Sequence, residues 1–154
     1  MDDVDFKNIY NKYYQDLFRF CFSFVHVKED SEDIVQDVFL SLYLKQPKNE
    51  NIKAWLFTVT SNKAKNFLRR NKVKSNCYQD YLFINSKDEN SKLYLNVLNE
   101  VANLPNKYKE IINYYYFSNM DIKEISEALV ISVSNVKKRL ERARLILKER
   151  MKNE

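Results

Sequence analysis

Not one of the 154 residues is glycine. Glycine takes left-handed backbone cheaply, and several architectures depend on it. Gly-rich phosphate loops, dinucleotide-binding turns and nucleophile elbows need it at fixed places. Tight two-residue hairpins favour it too. Nucleotide-handling α/β folds and meandering β folds are therefore disfavoured, and helices joined by short polar turns remain. Apolar residues make up 45% of the chain, too many for a wholly disordered one. The length allows one domain or two small ones. Two cysteines, Cys21 and Cys77, are too few for a disulfide framework or a four-ligand zinc site. No apolar run approaches the roughly 18 residues of a membrane span. The start, Asp2-Asp3-Val4-Asp5, is acidic where a signal peptide is basic. A cytoplasmic chain without membrane insertion is expected.

Apolar side chains recur with a helical period from Phe6 to Val25. Asp30 or Ser31 is the expected cap of a second helix, which buries Ile34, Val35, Val38, Phe39, Leu42 and Tyr43 and is stopped by Pro47. A third helix spans Lys53 to Arg70, with Trp55 read as core. Residues 73–92 lose the period and read as a linker carrying one apolar island, Tyr81-Leu82-Phe83-Ile84. Further helices are predicted over Lys92 to Asn103, Asn106 to Phe117, Ile122 to Leu129 and Val133 to Met151, the last two capped by Asp121 and Ser132. The fold class is all-α: two small helical domains, residues 1–72 and 93–154, joined by the linker.

Charge is segregated along this framework. Residues 1–52 carry ten acids and six bases, whereas residues 53–74 carry seven bases and no acid. Residues 137–152 carry eight bases and two acids. Two basic stretches far apart in sequence point to two contacts with a polyanion, although any single charge run is more often a solvated helix face. Amides and aromatics are interleaved with the first stretch, and a motif surrounds the second. Residues 121–144 have helix-turn-helix layout: a short amphipathic helix, the turn Val130-Ile131, then a capped helix with Val133, Val136, Leu140 and Ala143 inward. Its outward Ser134, Asn135, Lys137, Lys138 and Arg142 are what a major-groove helix needs, short polar groups first and cations after.

Leu104-Pro105, Tyr108-Lys109-Glu110-Ile111-Ile112, Lys123-Glu124-Ile125-Ser126, Ile131-Ser132 and Val136-Lys137-Lys138-Arg139-Leu140 resemble region four of bacterial RNA polymerase sigma factors. Ser31-Glu32-Asp33-Ile34-Val35-Gln36-Asp37-Val38-Phe39-Leu40 resembles the region-two helix of that family. Ala54-Trp55-Leu56-Phe57, Asn62 and Phe67-Leu68-Arg69-Arg70 resemble its promoter-melting helix. The order and the short linker are similar to the small extracytoplasmic-function sigma factors of the sigma-70 family. Val130 departs from the pattern, standing where the turn usually has Gly; Asn135 and Lys138 stand where Thr and Ser are frequent.

The resemblance implies an alternative sigma factor whose partners are core RNA polymerase, promoter DNA as duplex and melted strand, and an anti-sigma factor. It implies that Asp33, Gln36 and Asp37 dock on polymerase. It places Asn49, Asn51, Lys53, Asn62, Lys63, Asn66, Arg69 and Arg70 on the minus-ten element as single strand, and Ser134, Asn135, Lys137, Lys138 and Arg142 on the minus-thirty-five duplex. Glu141 either accepts from a cytosine or pairs along its own helix. Arg139, Arg144 and Lys148 meet phosphates or face the domain. No catalytic set, metal site or cofactor is expected: His26 is alone, a cap or surface residue, and Cys21 reads as core. The alternative is a stand-alone helix-turn-helix regulator of duplex DNA, or, more remotely, a helical adaptor without nucleic acid.

Overall fold

The computed structural model describes residues 2–48, 51–71, 96–97 and 99–152, and all regular structure among them is helical. Helix α1 (Asp3–Val25) starts three residues before the apolar period does, because Asp2 caps it and accepts from the Asp5 N–H at 2.8 Å. Asp3 and Asp5 suit the positive end of the helix dipole. Helix α2 (Lys28–Lys45) corrects the expected cap. It begins after Val27, and Ser31 lies inside it, fully buried, with its hydroxyl donating to the Val27 carbonyl at 2.7 Å. A buried serine without water satisfies itself on the preceding turn instead of capping. Helix α3 (Ile52–Asn71) is capped by Asn51, whose Oδ1 accepts from the Ala54 N–H at 3.0 Å.

Residues 99–102 are helical, and Pro105 then opens α4 (Asn106–Phe117). The linker with its Tyr81–Ile84 island and Cys77, and residues 92–95 and 98 of the helix predicted from Lys92, lie outside the described residues. Helix α5 (Ile122–Leu129) carries the capping box that the sequence predicts in part: Asp121 accepts from the Glu124 N–H, and Glu124 Oε1 accepts from the Asp121 N–H. Helix α6 (Val133–Lys152) starts at Ser132, whose hydroxyl accepts from the Asn135 N–H at 3.0 Å.

Helices α1, α2 and α3 pack on one another around Leu17, Phe20, Cys21, Val35, Val38, Leu42, Leu56 and Phe57. Trp55 is half-buried against this core, as its sequence setting suggested. Helices α4, α5 and α6 close around Ile111, Ile125, Val136, Leu140 and Ala143. The two bundles also meet, α1 against α4 and α3 against α5. The Phe20 ring lies 5.1 Å from Phe57 and 4.8 Å from Tyr114, and Tyr114 Oη donates to the Phe57 carbonyl at 3.5 Å. Burial pushes the Tyr114 phenol up to about 12 and the Cys21 thiol to about 12, leaving that thiol inert at ordinary pH.

With no glycine available, helix ends use other residues in left-handed backbone. His26 (φ 64°), Gln46 (φ 42°), Asn119 (φ 59°) and Val130 (φ 56°) all do so. Val130 is the strained one, since its branched Cβ crowds the backbone there, and it is 87% exposed, so packing does not compensate. Val130→Gly is expected to raise stability by about 1 kcal/mol, read as a higher urea midpoint at unchanged m-value. An unchanged or lowered midpoint would show that the turn carries no strain.

His26 is a cap, as expected, but not a surface residue. Both ring nitrogens are buried, and burial first, then the nearby Lys109 ammonium of α4, lower its pKa to about 4. The folded chain thus holds the imidazole neutral. As pH falls below the ordinary value near 6.5, the unfolded chain takes the proton first, so the stability present above that pH drains away toward pH 4. The loss attributable to His26 is expected to reach about 3 kcal/mol at the acid end. His26→Gln should flatten that part of the stability–pH curve between pH 6.5 and 4; superimposable curves would refute the assignment.

Candidate nucleic-acid interface

The residues predicted from sequence fall into three places and are treated differently by the fold. On α2, the apolar stripe Ile34, Val35, Val38 is consumed by the core, so helical geometry turns Asp33, Gln36 and Asp37 outward, and all three are exposed. They line a cleft of about 380 Å³ whose opposite wall is Lys63, Phe67 and Arg70 of α3. Acids proposed for docking and bases proposed for DNA therefore share one groove between two neighbouring helices. No ion pair joins the two walls among the described residues, so both sets keep their charges for partners.

On α3, Asn62, Asn66, Arg69 and Arg70 are exposed and Lys63 is half-exposed. Their spacing puts them along one side of the helix, opposite Leu56, Phe57, Thr60, Ser61 and Ala64. Arg70 Nε donates to the Asn66 carbonyl at 3.4 Å, which leans the guanidinium back along the helix. Asn51 and Lys53 are brought elsewhere, toward α5. Lys53 Nζ lies 2.9 Å from Glu124 Oε2 and donates to the Asn119 carbonyl at 3.2 Å. Asn51 Nδ2 donates to Glu127 Oε2 at 3.3 Å. Asn49 lies outside the described residues.

On α6, Ser134, Lys137, Lys138 and Arg142 are exposed and Asn135 is half-exposed, in front of buried Val136, Leu140 and Ala143. Arg144 is spent on the domain: its Nε donates to Tyr116 Oη at 3.2 Å and its guanidinium lies 5.0 Å over the Tyr115 ring. Those contacts favour its charged form and raise its pKa further. Arg150 Nη1 donates to the Asn103 carbonyl at 3.2 Å, tying the end of α6 to the turn before α4.

Sequence reasoning missed the residues that join the halves. Glu127, Thr58, Lys65 and Glu110 belong here. Thr58 Oγ1 donates to the Ala128 carbonyl at 3.3 Å, and Lys65 pairs with Glu110. Glu124 and Glu110 enter the sequence reading only among the residues that resemble region four. The available signal was electrostatic: the acid-free stretch 53–74 is answered by the acids of the short helix 122–129.

No group of three or more metal-ligating side chains exists among the described residues, and no described helix is long and apolar enough to cross a membrane. Comparison with known proteins agrees with the layout. The family model for sigma-70 region 2 matches residues 9–73, and that for sigma-70 region 4 matches residues 94–147. The chain is 28% identical over 148 residues to the ECF RNA polymerase sigma factor SigM of Bacillus subtilis, covering 91% of each. It is 27% identical over 153 residues to SigZ of the same organism, covering 95% of this chain and 86% of that one. The fold is similar to that of CnrH solved with the cytosolic domain of CnrY, with a TM-score of 0.76 at 21% identity over 99% of this chain and 91% of that one. It is also similar to RpoE of Bartonella quintana solved with the anti-sigma factor NepR, with a TM-score of 0.69 at 22% identity over 96% and 97%. Two region models in family order, relatives matched over nearly their full length and this fold place the chain in the sigma-70 family, among its extracytoplasmic-function sigma factors.

Proposed function

We propose that this sigma factor divides promoter recognition between its halves, with residues 1–72 docking on polymerase and handling the minus-ten strand, residues 73–92 linking, and residues 93–154 reading the minus-thirty-five duplex. As an alternative sigma factor it directs core RNA polymerase to particular promoters and takes part in opening them. Asp33, Gln36 and Asp37 supply acceptors for basic side chains of the polymerase. Asn62, Lys63, Asn66, Arg69 and Arg70 supply amide edges and cations for unstacked bases and their backbone, where each stacked base is worth about 1–3 kcal/mol. Ser134, Asn135, Lys137, Lys138 and Arg142 enter the major groove, the first two at the helix start and the cations along it.

The observation that carries this reading is the triple exposure of an acidic α2 face, a basic amide-bearing α3 face and a basic α6 face on one chain. A stand-alone duplex regulator uses the third face and leaves the first two unexplained, and the region 2 match is foreign to it. We extend to this chain an anti-sigma partner of the kind seen with RpoE. The reading puts the protein in the cytoplasm beside polymerase and gives it no catalytic step of its own. Reconstitution tests it: core polymerase plus this chain is expected to start transcripts at discrete genomic positions that core alone does not use. Duplex binding without such initiation would leave only the regulator.

A further inference from the structure

We propose that the acidic edge of α5 is an internal stand-in for promoter DNA, which holds the start of the strand-binding helix shut while the duplex-reading helix stays free. The proposal rests on the strand-binding reading of Asn51 and Lys53 given above. Both side chains are donors a melted strand would use, an ammonium for phosphate and an amide for a base edge. In the structure both are taken by acceptors of like chemistry. Glu124 Oε2 sits 2.9 Å from Lys53 Nζ, and Glu127 Oε2 accepts from Asn51 Nδ2 at 3.3 Å.

The carboxylates are aimed by the fold of α5 itself. Glu124 uses Oε1 to close the capping box on the Asp121 N–H, which leaves Oε2 turned toward α3. Glu127 is three residues on, on the same side of the helix. The masking contact is continuous with the bonds that seal the halves, Thr58 to the Ala128 carbonyl and Tyr114 to the Phe57 carbonyl. The duplex-reading residues are spared: Ser134, Lys137, Lys138 and Arg142 are exposed, and none forms an ion pair with another described residue. The closed chain thus offers α6 to a duplex but withholds Asn51 and Lys53 until α3 and α5 part. The Lys53–Glu124 pair is partly solvated, with side-chain exposures of 24% and 36%, so the latch is weak and is released by binding energy from a partner.

Two molecules test this, each probed by fluorescence anisotropy with a randomised single strand of about 20 nucleotides and a randomised duplex of about 30 base pairs. Glu124→Gln with Glu127→Gln keeps the capping box, because Gln serves there too. It is expected to tighten single-strand binding about tenfold, and duplex binding by about twofold at most. Removing two acids also lowers general repulsion, so the second molecule holds charge constant. It carries Thr58→Cys and Ala128→Cys in a Cys77→Ser background, compared oxidised and reduced. Neither position contacts DNA in the proposed reading. The oxidised form is expected to bind the single strand about tenfold more weakly than the reduced form, with equal duplex binding. Equal single-strand binding in both forms overturns the masking. Failure of the two cysteines to join, while the Glu124→Gln, Glu127→Gln molecule binds the single strand no more tightly than the unaltered chain, overturns it as well. Loss of single-strand binding from the reduced form too, with duplex binding kept, overturns the strand reading beneath it.

Discussion

Phe20→Ala is expected to lower the free energy of unfolding by about 3–5 kcal/mol, against a typical total of about 5–15 for a chain of this kind. Phe20 is fully buried, and its ring meets Phe24 at 5.2 Å, Phe57 at 5.1 Å and Tyr114 at 4.8 Å. Truncation removes the apolar burial, leaves a cavity that rigid neighbours cannot fill, and deletes three ring contacts together. The contacts belong to α1, α3 and α4, so the cavity opens where the two bundles join. Urea unfolding followed by far-ultraviolet circular dichroism measures the loss. Phe20→Leu, which keeps most of the volume, should cost well under half as much. A loss below about 1 kcal/mol for the alanine variant would mean that the bundles do not share this core in solution.

How much of this was legible beforehand depended on the range of the interaction. Asp121 and Ser132 were read as caps and are caps, because capping is decided within three residues. Val130 was singled out by its place in the turn, and it does take left-handed backbone. Ser31 misled for the complementary reason. A serine beside acids before an apolar run looks like a cap, but Ser31 is fully buried beside Cys21 of α1 and its hydroxyl turns back to the Val27 carbonyl. His26 reads from sequence as a cap or a surface residue, and only the cap is observed. Its burial involves α4, whose Lys109 lies close enough to disfavour the charged imidazole. The same holds for Asn51 and Lys53. Their chemistry was readable, but their partners stand 66 and 76 residues away, and no spacing rule reaches that far. Helical periodicity named the exposed faces of α2, α3 and α6 from sequence, but it failed at the helix ends, where Tyr43 and Val133, read as inward, are exposed. How the halves would close on one another could not be read that way.

Reversing the charge of α2 is expected to have the largest functional effect. Asp33→Lys with Asp37→Lys should weaken association with core polymerase by more than about a hundredfold and abolish initiation in the reconstituted system. Two acceptors become two donors, so a basic partner surface meets like charge, which costs several kcal/mol rather than merely losing contacts. Both positions are exposed on a helix whose core side is unchanged, so circular dichroism and melting should alter little. The reversed lysines do face Lys63 and Arg70 across the shared cleft. Asp33→Asn with Asp37→Asn removes the attraction without adding repulsion there, and should give an intermediate loss. Glu149→Lys, on the exposed side of α6, makes half of the reversal's charge change away from α2 and should leave polymerase binding intact. Duplex binding through Lys137, Lys138 and Arg142 should survive in every variant, since α6 is a separate surface. Polymerase association that survives the reversal would place the docking face elsewhere and reduce the acids of α2 to solubility.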